Sequence, residues 1–160
     1  MEADGLVHLN PVWRERANFI IGALLPPDKD GALRKWEQLW ARQLGDDHFE
    51  ICCIPFFVYD LALGDKVETA SELGSSYIVQ RVIERSGHWT LRVWFGDAKP
   101  GEEILGEVLS EIHQLGCPME FYSANLLAIS APTEEQAIAL TEVLSRREHL
   151  GHLEYETGWS

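Results

Sequence analysis

The chain has 160 residues, and 46% of them are hydrophobic, which is enough apolar material for the core of one domain or of two small ones. No apolar run approaches the ~18 residues of a membrane-spanning helix, and the acidic start at residues 1–4 lacks the character of a secretory signal, so we expect a cytoplasmic protein. A net charge of −13 argues against nucleic acid as a direct ligand, because phosphate binding calls for clustered lysine and arginine, and we expect no membrane partner.

The negative charge is concentrated in the C-terminal part of the chain. Residues 1–96 contain 14 acidic and 10 basic side chains, whereas residues 97–160 contain 12 acidic and only 3 basic ones. Such an excess is typical of a solubilising surface. A more specific interpretation is an acidic face that steers a basic protein partner towards this region.

The N-terminal half has the pattern of short strands. We expect residues 1–17 to form a loosely held arm, and the apolar run 18–25 predicts a buried strand that ends at Pro26. Residues 28–31 predict a turn. Residues 36–54 favour two strands joined through Gly45-Asp46-Asp47, with a helix over residues 33–44 as the alternative, and Pro55 should end the second strand because it has no amide donor.

Three further strands are indicated before the pattern changes. A tight turn at residues 63–67 leads into a short strand, and residues 77–84 and 89–95 alternate as strands that could form a hairpin through Arg85-Ser86-Gly87. In the last of these strands Trp89, Leu91, Val93 and Phe95 share one apolar face, while His88, Thr90, Arg92 and Trp94 share the other, mixed face.

The C-terminal half alternates strands and helices. Apolar spacing predicts a helix over residues 102–115 that stops at Gly116, and Thr133 with Gln136 forms a capping box for a second helix over residues 134–147. Residues 119–123 and 126–131 predict a hairpin, and residues 153–157 a last strand.

This order predicts an α+β protein. Its last part, residues 88–160, reads β-α-β-β-α-β, the split unit of ferredoxin-like folds, and a small β-rich subdomain over residues 18–87 is expected to pack against it.

Several short motifs resemble an uncharacterised family of bacterial proteins, catalogued as a domain of unknown function. The resemblance spans about residues 36–158 and rests on Pro55-Phe56-Phe57, Leu63-Gly64-Asp65, Ser86-Gly87-His88 with Thr90 and Arg92, Leu115-Gly116-Cys117 with Glu120, and Glu154-Tyr155-Glu156. Where that pattern often has a small residue after Gly-His, this chain has Trp89. The resemblance implies a small stand-alone protein, which is compatible with an accessory or neutralising role, and it implies no defined activity.

The three cysteines predict no disulfide framework. Cys52 and Cys53 are neighbours that point to opposite faces of a strand, and free cysteine behaves as a small hydrophobic residue, so we expect both to be packed in the core. The alternative is that one of these thiols is a nucleophile and His88 is its base, with Asp60 or Asp65 orienting the His88 imidazole. The chain has neither Cys-x-x-Cys nor a phosphate-binding glycine loop, so we expect no metal site and no cofactor.

His88 and Arg92 are the candidate ligand-binding pair. Both lie on the mixed face of one strand, and an arginine there could hold a carboxylate with two hydrogen bonds. The alternative is an internal ion pair of Arg92 with Asp60, Asp65 or Glu120.

Glu103, Glu107 and Glu111 are spaced four apart on one side of the first helix, with no basic residue four positions on to offset them. A solvated face is the simpler explanation, and a docking stripe for a basic protein is the functional one. The resulting hypothesis is an acidic, non-catalytic binding protein, immunity-like, that neutralises a cognate toxin by steric occlusion. The alternative is an enzyme or small-molecule-binding protein that uses a cleft between the halves around His88, Arg92 and Cys52 or Cys53.

Overall fold

The computed structural model describes residues 5–26, 35–97 and 101–158, and in these ranges it contains two sheets and two helices. The predicted α+β class is confirmed. The strands are β1 (Gly5–Leu6), β2 (Phe19–Leu24), β3 (Trp36–Gln43), β4 (His48–Ile51), β5 (Lys66–Glu72), β6 (Ser75–Glu84), β7 (Trp89–Trp94), β8 (Met119–Phe121), β9 (Leu126–Ala131) and β10 (Glu154–Gly158). The helices are α1 (Glu102–Gln114) and α2 (Glu134–His149).

The first sheet has six strands in the order β1-β3-β2-β6-β5-β4. Because β3 also pairs with β4, the strands from β2 to β6 close into a ring, and β1 adds to β3 in parallel. The core inside the ring includes Leu39, Phe49 and Val67, which are fully buried. The predicted hairpin within residues 36–54 is confirmed, and the alternative helix is wrong because every residue from Trp36 to Gln43 is in strand β3.

Strands β5 and β6 form a hairpin around Leu73-Gly74, where both residues have positive φ (49° and 81°), as a two-residue turn requires. The alternation predicted for residues 77–84 is interrupted. Tyr77 has a φ of 61° and the register of the pair shifts along its length, so the side chains do not follow one uniform two-residue period.

The predicted hairpin between residues 77–84 and 89–95 is wrong. Strand β6 pairs with β5 and β2, whereas β7 belongs to the second sheet and pairs with β9 and β10. The connection is anchored to the segment before β5 instead: Asp65 Oδ1 accepts the Ser86 amide at 2.8 Å, and Ser86 Oγ donates to the Leu63 carbonyl at 2.6 Å. Gly87, with a φ of 86°, then turns the chain towards the second sheet.

The second sheet has the order β10-β7-β9-β8, all antiparallel, and both helices pack on one of its faces. Both predicted helices and the predicted hairpin of β8 and β9 are confirmed. Thr133 Oγ1 accepts the Gln136 amide at 3.2 Å, as the capping box predicted, and Gly116 follows the end of α1 with a φ of 74°.

Residues 5–17 are not the loosely held arm that the sequence suggested. Gly5 and Leu6 pair with β3, and His8 is buried. The turn expected at residues 28–31 lies outside the described residues. Within the described ranges, no helix is long and apolar enough to cross a membrane.

Candidate functional site

A buried histidine joins the two sheets. His8 Nε2 lies 2.7 Å from Glu37 Oε2 on β3, and His8 Nδ1 lies 2.7 Å from Glu120 Oε1 on β8. All three residues are at most 3% exposed. Because a carboxylate only accepts, both ring nitrogens must donate, and the imidazole is therefore positively charged.

The pKa of His8 agrees with this geometry. Burial by itself would lower that pKa, but hydrogen bonds and charge from Cys53, Glu120 and Glu37 outweigh burial and raise it to about 12. A single charged imidazole thus lies between two buried carboxylates, and the ring also stacks on Phe56 with centroids 4.2 Å apart.

The same two carboxylates bind the backbone of the loop after β4. Glu37 accepts the amides of Phe56, Phe57 and Val58 at 2.7, 2.9 and 2.9 Å. Glu120 accepts the Ile54 amide at 2.6 Å. Pro55, which has no amide hydrogen, occupies the one position between these donors, so every amide of the segment 54–58 is bound by a buried carboxylate.

His8, Glu37 and Glu120 are called the seam network below. It connects the N-terminal segment, β3, β8 and the loop 54–58, and the apolar residues Ile54, Phe56, Leu63 and Ala128 pack around the same junction. Because its members are buried from solvent, the network fixes the two sheets relative to each other and offers no open site to a substrate.

In the Leu63-Gly64-Asp65 motif, a buried carboxylate likewise binds backbone amides. Asp65 is fully buried and accepts the amides of Ala62 at 3.0 Å and of Ser86 at 2.8 Å. Gly64 has a φ of 85°, and a Cβ there would lie 3.0 Å from the Ser86 Cβ and 3.2 Å from the Trp13 ring. The motif therefore makes a close contact with the 85–87 connection.

Cys52 and Cys53 are fully buried free thiols, in keeping with the expected core packing. Burial raises the pKa of both, that of Cys52 to about 12. The imidazole that interacts with Cys53 is that of His8, which the sequence did not indicate, and the predicted partner His88 is hydrogen-bonded elsewhere. Neither thiol has the exposure or the low pKa of a nucleophile.

His88 is half-buried at the start of β7. Its Nδ1 lies 3.1 Å from Ser130 Oγ, and its ring meets Trp13 edge-on with centroids 5.8 Å apart. Burial lowers the pKa of His88, so the neutral ring is favoured.

Arg92 lies four residues further along the same face, directed at the loop 54–60. Its Nη2 donates to the Val58 carbonyl at 2.7 Å, its guanidinium lies 5.0 Å from the centre of the Tyr59 ring, and its Nη1 is 3.9 Å from Glu156 Oε1. None of the three carboxylates considered as its partners, Asp60, Asp65 and Glu120, forms an ion pair with it.

The acidic stripe on α1 is partly neutralised from the neighbouring helix. Arg147 Nη1 donates to Glu107 Oε2 at 3.1 Å and Arg147 Nε to Glu111 Oε1 at 2.9 Å, and Arg146 also bonds to Glu111. Of the three glutamates predicted to form a docking stripe, only Glu103 does not bond to Arg146 or Arg147. The sequence did not indicate the pairing because the partners are separated by 35 to 40 positions.

A different surface carries acidic groups beside exposed apolar area. A groove of about 290 Å³ runs along α2, next to Trp89 and Leu91 of β7 and Thr157 of β10. Ile138 is 58% exposed there, between Glu134 and Glu142, one turn before and after it on the helix. No ion pair among the described residues involves either glutamate. We call this surface the α2 groove.

Sequence reasoning missed His8 and Glu37, although a signal for Glu37 existed. Glu37 shares its strand face with Leu39 and Ala41, both fully buried, so its position in the two-residue pattern already placed a charge in the core. Among the described residues, no group of three or more histidine, cysteine, aspartate or glutamate side chains is arranged to hold a metal ion.

These features define a class of α+β protein in which two sheets are joined by a buried ionic network. The chain belongs to the DUF4265 family, a domain of unknown function, whose family model matches residues 37–155. Of the seam network and the loop that it binds, Glu37, Glu120 and residues 54–58 lie inside that range, and His8 lies outside it.

A solved structure has a similar fold. It is described as a hypothetical protein from Neisseria gonorrhoeae, it is 24% identical to this chain, and the similarity covers 88% of this chain and 96% of that one with a TM-score of 0.71. That likeness bears on the fold alone. No curated protein matches the chain.

Proposed function

We propose that this protein is a non-catalytic binding module for a basic protein partner, and that the partner docks on the α2 groove. The observation that carries the proposal is the exposed Ile138 between two glutamates with no ion-pair partner in the described structure. An apolar floor with an acidic rim suits a partner segment that inserts an apolar side chain and places lysine or arginine beside Glu134 and Glu142.

The charge distribution supports this surface over the stripe on α1. Arg146 and Arg147 both bond to glutamates of α1, so α1 presents less uncompensated charge than the sequence suggested. The first turn of α2 carries Glu134 and Glu135, and both are exposed. The first turn of α1 carries the exposed Glu102 and Glu103 in the same way, so what favours α2 is the exposed Ile138 beside its glutamates.

The fold supports a rigid platform for such docking. We infer that the chain consists of a closed β-rich N-terminal half packed on a ferredoxin-like C-terminal half, with residues 1–17, 18–87 and 88–160 as the approximate units. Support comes from the order β7-α1-β8-β9-α2-β10, the sheet order β10-β7-β9-β8, and the seam network between the halves.

We extend the proposal to neutralisation of a cognate toxin: the bound protein would cover its partner's active surface, as an immunity-like protein does. Small size and acidity support this extension, and it rests on analogy with such proteins.

The test is to isolate the protein with its partner from the native host at low salt and to compare groove variants. Ile138→Asp and the double change Glu134→Lys with Glu142→Lys are expected to abolish a stoichiometric complex, and raising the salt concentration should weaken the wild-type complex. The double change Glu102→Lys with Glu103→Lys, at two exposed positions in the first turn of α1, is the matched charge control and should leave the complex intact.

Two results would contradict the proposal. One is a complex that survives both groove variants, and the other is a complex lost only when Glu103, Glu107 and Glu111 are changed. For the toxin extension, the isolated partner is expressed alone and with this protein. Growth inhibition that this protein relieves is expected, and a harmless partner would refute the extension while leaving the binding function standing.

A further inference from the structure

The face of the second sheet opposite the helices is only partly covered by the N-terminal half. Strand pairing sets Trp94 between Leu126 of β9 and Glu154 of β10, and sets Arg92 beside Glu156 in the next row. Trp94 is 38% exposed, while Arg92 is 4% exposed beneath the loop 54–60. The covered and open parts of this face therefore meet between Arg92 and Trp94.

Arg92 lacks acceptors for two of its donor atoms. In the described structure its Nε and Nη1 are buried without a hydrogen-bond partner, since Glu156 Oε1, 3.9 Å from Nη1, is beyond hydrogen-bond range. No other buried side-chain nitrogen or oxygen of the described residues is left in this state. Two buried guanidinium nitrogens without an acceptor are unfavourable, so an added acceptor beside Nη1 would stabilise the site.

The side chain above this guanidinium is exposed to solvent. The Tyr59 ring, 5.0 Å from the guanidinium carbon, is 53% exposed, and its hydroxyl donates to Glu156 Oε1 at 3.2 Å. Because Tyr59 belongs to neither core, turning its ring outward would open a path from the groove to Nη1 without unpacking either core.

A groove of about 280 Å³ lies next to these atoms. It is lined by Arg92, Trp94, Leu126, Glu154, Tyr155 and Glu156. Its volume is slightly below the range of about 300–1,000 Å³ that holds drug-sized ligands, which suits a molecule of amino-acid size.

We propose that this groove binds a free α-amino acid with an apolar side chain. The carboxylate accepts from Arg92 Nη1, the ammonium group lies between Glu154 and Glu156, and the side chain packs on Trp94 and Leu126. The two glutamates disfavour a simple anion, and the buried arginine disfavours a simple amine. A zwitterion satisfies both charges. This site goes beyond the proposed docking function and lies on the sheet face away from the α2 groove, so either can fail alone.

The test is a titration of ¹⁵N-labelled protein with L-phenylalanine and L-leucine up to about 10 mM, followed by NMR. Binding is expected to shift the Arg92 Nε–H and Trp94 indole N–H resonances. 3-Phenylpropionate lacks the ammonium group and phenethylamine lacks the carboxylate, and each should bind at least about ten-fold more weakly than L-phenylalanine.

Two variants locate the site. Arg92→Lys should weaken binding of L-phenylalanine at least about ten-fold, and Arg81→Lys, an exposed arginine outside the groove, should not change it. Because Arg92 is buried, the Arg92→Lys variant can fail to fold. In that case Leu126→Trp tests the site, because the larger side chain fills the groove from a partly exposed position and should weaken binding of L-phenylalanine. The proposal is overturned if neither amino acid shifts the two resonances, if either analogue binds as tightly as L-phenylalanine, or if the folded groove variants bind like the wild type.

Discussion

His8 and Glu120 are 112 positions apart in the chain, and their side chains form a buried hydrogen bond of 2.7 Å. The contact ties the N-terminal segment to the second sheet, and the same imidazole bonds to Glu37 of the first sheet. The two sheets are therefore held together by groups that lose their partners if any one member is removed.

Changing Glu37→Gln should destabilise the protein by about 3–5 kcal/mol, because His8 loses a buried countercharge and three loop amides lose part of their acceptor. Denaturant unfolding measures the change. Glu142→Gln on the exposed face of α2 is the control, and its effect should stay within about 0.5 kcal/mol. Equal effects of the two substitutions would show that the network contributes no special stability.

The raised pKa of His8 predicts a pH dependence with a definite sign. Because the folded pKa of about 12 exceeds the unfolded value of 6.5, the histidine's contribution is complete below about pH 6.5 and is lost as the pH rises towards 12. Above pH 6.5 the stabilisation contributed by His8 should fall by about 1.4 kcal/mol per pH unit.

The measurement is urea unfolding between about pH 6 and pH 8.5 for the wild type and for His8→Asn. The wild type should lose stability relative to this variant as the pH rises. His113→Asn, at an exposed position of α1, should keep the wild-type slope. A difference between wild type and His8→Asn that does not change with pH would mean that His8 is not held in its charged form.

Gly64→Ala should be more harmful than Gly74→Ala, although both glycines have a φ above 80°. At Gly74 nothing lies within 4 Å of an added Cβ, so only the backbone strain of about 1–2 kcal/mol applies. At Gly64 the added atom also meets Ser86 and Trp13, which adds about 1–3 kcal/mol of overpacking. Thermal or denaturant unfolding compares the two, and equal losses would show that the motif needs glycine only for its backbone angle.

Arg147→Met should destabilise the protein by about 1.5–3 kcal/mol, because the largely buried guanidinium bonds to both Glu107 and Glu111 across the two helices. Arg81→Met is the matched control, since Arg81 forms a solvent-exposed pair with Glu68 and should lose less than about 1 kcal/mol. Chemical unfolding in low salt checks both. If the two variants lose the same amount, the α1–α2 cluster is an ordinary surface feature.

Local pattern was sufficient for most of the elements. The helix over residues 102–114 follows from apolar spacing and Gly116, and the second helix from the cap at Thr133, because such signals act between residues a few positions apart. Strand partners were harder to predict. The sequences of residues 77–84 and 89–95 alternate as those of a hairpin would, but alternation in a sequence predicts only which side chains share a face and leaves the neighbouring strand open.

By itself, the sequence determined the α+β class, the extents of the main elements, the buried thiols and the acidity of the C-terminal region. The tertiary structure alone decided where those charges act. Arg147 reaches Glu107 from 40 positions away, His8 reaches Glu120 from 112, and Arg92 of the second sheet meets Val58 and Tyr59 of the loop after β4. The physical reason is that electrostatic and hydrogen-bond energies depend on distance in space and on burial, and both quantities exist only after the two sheets have packed together.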